Sequence, residues 1–156
     1  MVNARDWQRH KVKNSQTCLS TGQLLAASAY MLLVGSVYAG VAVIVNPAST
    51  LASATADEIK ALYLNKANKI GGQIVKPVDH VYGDVRKKFL RAVVGRKPRE
   101  FKAHWTRLTF SGKASPIKIA GDDADVKRWV ANHRGSIGFI HSDSVDATVK
   151  VIYKIE

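Results

Sequence analysis

Cysteine is almost missing. Cys18 is the only one in 156 residues, which excludes an intrachain disulfide and any multi-cysteine metal site. It also precedes the longest apolar run, whereas a lipoprotein cysteine follows one, so lipidation there is not expected. Acidic residues are scarce: 12 Asp and Glu face 24 Lys and Arg, a formal net charge of +12. Before Gly40 stand only Arg5, Arg9, Lys11 and Lys13 against Asp6, so most of the excess belongs to the rest of the chain. A field of that sign attracts anions, anionic membrane surfaces or nucleic acid.

Catalytic constellations are lacking too. No Ser or Cys sits in a Gly-x-Ser-x-Gly elbow. His80, His104, His133 and His141 show neither the His-x-x-His nor the His-Glu-x-x-His spacing of a zinc site. Asp122, Asp123 and Asp125 read as caps and dipole partners at a helix start rather than as cation ligands. The expectation is a non-enzyme with no metal and no cofactor. The densest basic run is Arg86, Lys87, Lys88, Arg91, Arg96, Lys97, Arg99 and Lys102. It lacks interleaved exposed aromatics, because Phe89, Phe101 and Trp105 fit a core, so nucleic acid is not the expected partner.

What the chain does have is a run of 22 residues, Leu24–Val45, without a single charge. Its texture changes midway. Leu24 to Val34 mixes Leu, Ala, Met and Tyr, which suits a helix. Val41–Val45 (VAVIV) is mostly β-branched and suits a strand, which Asn46-Pro47 then stops. Between them, Val37 and Ala39 match the small-residue pattern of a signal-peptidase site, with the upstream cations as its positive region. The chain therefore divides into a signal peptide, residues 1–39, and an exported, periplasmic domain, residues 40–156. An uncleaved anchor would have to end near Gly40, leaving about 16 apolar residues, short for a span.

Within the domain, VAVIV reads as a strand buried on both faces. Thr55-Ala56-Asp57-Glu58 fits a capping box opening a helix that carries Ile59, Leu62 and Tyr63. Gly71-Gly72 turns into a second strand, Ile74 to Val78. Asp84 reads as an N-cap and Gly95 as a stop, with Val85, Phe89, Leu90 and Val93 facing inward. Pro98 begins a helix with Phe101, Trp105 and Leu108 on one side. Asp122 or Asp123 begins another with Val126, Trp129 and Val130. Ser136–Ile140 and Val149–Ile155 read as strands, the latter with Val149, Val151, Tyr153 and Ile155 on one face. Strands alternating with helices predict an α/β layer fold with a mostly parallel sheet.

The ordered set VAVIVNP, "LYLNK", "PVDHVYGDVRKKFLRAVVGR", "HWTRLTFSGK" and "ANHRGSIGFI" resembles the phosphate-binding-protein-like family, the periplasmic receptors of phosphate ABC importers. The likeness runs from about Val41 to Ile152. It implies a single lobe of the periplasmic-binding-protein-like fold, a mostly parallel sheet flanked by helices. It also implies an anion site at the loop before the helix near Asp84, where members read roughly V-D-R-x-x-G-S-x-x-R. Val78 to Arg86 is one residue shorter than that pattern, and with this offset Gly83 and Arg86 match it. His80 stands where an Arg is common, and Asp84 where the ligand Ser is expected. Helix N-terminal amides favour an anion, and an ionised Asp84 capping its own helix would occupy them. Ser49 and Thr50, after the first strand, are further candidates, because open α/β sheets place ligands at strand carboxyl ends.

Two functions are compatible with these residues. One is reversible binding of phosphate or a related small oxyanion in concert with a membrane transporter. The other is an envelope interaction or signalling protein on the same lobe, with a decayed anion site and an acidic partner for its basic face.

Overall fold

A computed structural model describes residues 40–156; the expected signal segment, residues 1–39, lies outside the described residues. Val41–Val45 forms β1, all five residues at most 1% exposed. Val41, Val43 and Val45 enter one core cluster, while Ala42 and Ile44 enter a second on the other face. With both faces covered there is no polar alternation to preserve, which is why the strand reads as an unbroken apolar run.

The capping box at Thr55 is present: Thr55 Oγ1 accepts the Glu58 N–H, and Glu58 Oε2 accepts the Thr55 N–H at 2.8 Å. It opens α1, Ala56–Tyr63. A small hairpin follows, β2 (Lys69–Ile70) and β3 (Gln73–Ile74), turning at Gly71-Gly72. Then come β4 (Lys76–His80) and α2 (Asp84–Phe89), which runs into a π-helical turn, Leu90–Val94, ended by left-handed Gly95. The second strand expected over Ile74 to Val78 is thus two elements. The chain breaks at Val75, whose N–H turns to the Asn68 carbonyl at 3.0 Å.

Pro98 begins α3, Pro98–Phe110, as its fixed φ favours. The remaining elements are β5 (Lys118–Ala120), α4 (Asp123–Asn132) with Asp122 as its N-cap, β6 (Ser136–His141) and β7 (Lys150–Ile155).

The main sheet has the order β5-β4-β6-β1-β7. β4 pairs in parallel with both β5 and β6, whereas β1 runs antiparallel to both β6 and β7. Four strands therefore point one way and β1 alone is reversed, a mostly parallel sheet. Buried side chains of α1, α2, the π-turn and α3 cover one face, and Val126 and Val130 of α4 cover the other. Phe89 stacks on Phe139 with centroids 4.0 Å apart, and Tyr63 meets Phe89 edge-on at 4.8 Å. Gly138 lets α4 approach the sheet: a Cβ there would come within 2.5 Å of Val126 Cγ1.

β7 departs from the single alternation its sequence suggests. Val43 pairs with Tyr153 but Ile44 pairs with Val151, so Ile152 is an extra residue in a β-bulge. The bulge switches faces. Val151 and Val149 belong with α4, whereas Tyr153 and Ile155 pack against the opposite cluster. The Ile152 carbonyl, released from the regular ladder, accepts the Ala54 N–H at 3.2 Å.

Candidate functional site

The reversal of β1 decides which candidate residues meet. Val41 pairs with His141 and Val45 with Ile137, so the carboxyl end of β1 lies beside the start of β6. The carboxyl ends of β4 and β6 lie at the other edge of the sheet, because these two strands are parallel. Ser49 and Thr50 are consequently across the sheet from His80, Gly83, Asp84 and Arg86. The strand-end argument for them required β1 to run with its neighbours. Ser49 instead serves the local turn, its Oγ accepting the Leu51 N–H at 3.3 Å.

At the carboxyl edge, β4 ends at His80 and the chain reaches α2 through Val81, Tyr82 and Gly83. The Val81 N–H bonds to the Ala120 carbonyl at 2.9 Å, tying the loop to β5. Gly83 is the N-cap of α2, with φ 123°, a conformation that L side chains rarely adopt, and nothing lies within 4 Å of where its Cβ would be. This corrects the assignment of Asp84 as the cap. Asp84 is the first helical residue, 90% exposed, and accepts from Lys87 Nζ at 2.8 Å. The Lys87 ammonium holds its carboxyl below the usual range. Among the described residues no side chain caps α2, so its first-turn amides are not occupied by a carboxylate of their own helix.

Arg86 pairs with a carboxylate of its own fold. Its Nε lies 3.0 Å from both carboxylate oxygens of Asp79, and one terminal nitrogen lies 2.8 Å from Oδ2. The side chains are 13% and 2% exposed. The guanidinium therefore forms a bidentate pair that joins β4 to α2. Burial pushes the Asp79 carboxyl up, against the pull of Arg86.

His80 is also turned inward, 2% exposed, donating from Nε2 to the Phe139 carbonyl at 2.6 Å. The same nitrogen stands 3.6 Å from Asp123 Oδ1. Asp123 Oδ2 accepts from both the backbone N–H of His141, at 3.0 Å, and its Nδ1, at 2.8 Å. Burial raises the Asp123 carboxyl, but hydrogen bonds from Ser144 and His141 outweigh it and hold the group below its ordinary range.

A hollow of about 790 Å³ opens beside this cluster, lined by Gly83, Asp123, Lys127, His141 and Ser144 among others. The Asp123–His141–Ser144 group escapes a linear reading, since its members are up to 21 positions apart. The signal that finds it is topological: Asp123 begins the helix after β5, and His141 ends β6. Among the described residues no group of three or more His, Cys, Asp or Glu is arranged to hold a metal ion. Nor is any described helix long and apolar enough to cross a membrane.

No protein-family model matches the chain, and no curated protein matches it. Solved structures do. One is a protein from Clostridium perfringens described as a phosphate ABC transporter substrate-binding protein, with bound phosphate. It has TM-score 0.57 and 21% identity, and the match covers 72% of this chain and 44% of that one. A second is an ABC-type phosphate transport receptor from Vibrio cholerae, with TM-score 0.55 and 22% identity, covering 72% and 45%. The domain thus has the fold found in phosphate-binding proteins, and the match spans less than half the length of either neighbour.

Proposed function

We propose that the chain is an exported solute-binding module whose β4–α2 loop holds phosphate or a related oxyanion reversibly. The observation that carries this reading is the start of α2. Gly83 opens it in a conformation reserved for glycine, no described side chain caps it, and Asp84 is drawn aside by Lys87. Uncapped helix amides are an anion-binding geometry. The fold shared with a phosphate-bound neighbour supports the same reading.

One observation favours the second reading, an interaction or signalling lobe with a decayed anion site. Arg86 is bound to Asp79; Asp122, Asp123 and Asp125 line the hollow, and Asp84 stands at the start of α2. These carboxylates oppose a dianion, so the affinity expected from this site is weak.

Calorimetric titration of the full chain with phosphate, sulfate and molybdate separates the two. A carboxylate about 6 Å from the anion in a water-like dielectric of about 80 repels each unit charge by roughly 0.7 kcal/mol. Removing it in Asp84→Ser should strengthen dianion binding about tenfold. Gly83→Val should weaken it, because the N-cap conformation is closed to valine. Silence for all three oxyanions in both the parent and Asp84→Ser, down to millimolar affinity, removes the first reading.

A further inference from the structure

A second concave feature adjoins the candidate anion site, sharing His80 and Arg86 with it, and lies between α3 and the edge strand β5. This groove, about 650 Å³, has α3 as one wall and the segment from Pro116 through β5 as the other. Its floor is the Asp79–Arg86 pair. The chain exposes five large apolar residues among those described: Ile74, Val81, Tyr82, Phe110 and Ile119. Three of them line this one groove, with Phe110 90%, Ile119 53% and Val81 47% exposed. Scattered exposed apolar residues need no explanation, but a cluster around one groove marks a contact surface.

Two further observations say what covers it. First, β5 is the terminal strand of the sheet, and among the described residues no strand pairs with its outer side. Such an edge presents main-chain donors and acceptors to an incoming extended chain. Lys118 lies on the far face, its ammonium 4.2 Å from the Trp129 ring centroid, which leaves Ile119 toward the groove. Second, the charge at the groove is one-sided. Arg99 and Lys102 line it, exposed and without an ion-pair partner among the described residues, while its only carboxylate, Asp79, is held by Arg86. A second copy of this chain, itself at +12, would be repelled from such a rim.

We propose that the groove between α3 and β5 is a docking site for an extended segment of a partner protein in which bulky apolar residues alternate with Asp or Glu. The main chain of the segment adds to β5. Its apolar side chains enter between Phe110, Ile119 and Val81, and its carboxylates meet Arg99 and Lys102. This does not rest on oxyanion binding at the β4–α2 loop.

The test is selection of random dodecapeptides displayed on phage against the immobilised full chain, then titration of the best synthetic peptide by fluorescence polarisation. The enriched sequences should alternate acidic with bulky apolar residues. The double variant Arg99→Glu/Lys102→Glu should bind the peptide about tenfold more weakly. Binding by the parent should weaken as salt rises. Ile119→Lys should weaken the peptide similarly, yet titrate with phosphate as the parent does, which separates failure here from failure of the anion site. Both variants alter exposed positions, and circular dichroism confirms that each is folded.

Enrichment without acidic residues overturns the proposal, as does a peptide that binds both variants as tightly as the parent. So does a chain that selects no peptide but sediments with phosphatidylglycerol vesicles through Phe110, which would make the groove mouth a lipid contact.

Discussion

Replacing Arg86 tests whether the strongest sequence candidate for anion binding is instead a structural residue. Arg86 makes three short contacts to Asp79, a carboxylate only 2% exposed. Arg86→Ala leaves that carboxyl buried without its partner. Breaking such a pair from one side typically destabilises by about 3–5 kcal/mol. A domain of this size has roughly 5–15 kcal/mol in total, so about a fifth or more of its stability is at stake. At about 4 °C per kcal/mol, the thermal midpoint should fall by roughly 12–20 °C.

Arg86→Leu/Asp79→Leu should recover much of the loss, because the buried charge has gone from both sides. The single variant should also acquire a distinctive pH dependence. Burial already pushes the Asp79 carboxyl up, so the folded chain holds that proton more tightly than the unfolded one. The corresponding stability is fully present below the unfolded value and is lost as pH rises through the folded value. Arg86→Ala should therefore be relatively more stable near pH 5 than near pH 7. Urea and thermal unfolding followed by circular dichroism measure both effects. A variant that melts within a few degrees of the parent, with no new pH dependence, would refute the structural assignment.

Acid should weaken the fold through carboxylates held low. Hydrogen bonds from Lys127 and Thr148 bring Asp146 from its ordinary 3.8 to about 2. Its contribution is present above 3.8 and lost as pH falls through about 2; a carboxyl carbon NMR titration placing Asp146 near 3.8 would contradict this. If residues 1–39 are a cleaved signal segment, intact-mass measurement of the exported chain should give a mature start at Gly40, and a chain still beginning at Met1 would overturn cleavage.

Local patterns were legible wherever one chemical rule governs one segment. The Thr55–Glu58 box, Pro98 at the head of α3, the start of α4 at Asp122 or Asp123 and the doubly buried VAVIV strand all depend on near neighbours or on burial of every residue. What escaped depends on partners distant in the chain. The bulge at Ile152 is set by the register of β7 against β1, which no alternation within β7 encodes. Asp84 has the chemistry of a cap, and the cap nevertheless falls on Gly83. There a positive φ turns the chain from β4 into α2, and Lys87 takes the carboxylate.

The candidate site shows the same division more sharply. Gly83, Asp84, His80 and Arg86 are close in sequence and do meet around one loop, yet the roles of the charged and aromatic members are set by pairings that the motif does not specify. Asp79 claims Arg86. The Phe139 carbonyl claims His80. The direction of one strand removes Ser49 and Thr50 to the opposite edge. A motif delivers side chains to a place, whereas ion pairing and burial decide whether they remain available to a ligand. At this loop the guanidinium and the imidazole each have a partner within the fold, and no described side chain caps the amides of α2. A ligand held here would therefore be held chiefly by backbone. Its affinity should respond more to Gly83 and Asp84, which shape and screen those amides, than to the arginine that the sequence pattern singles out.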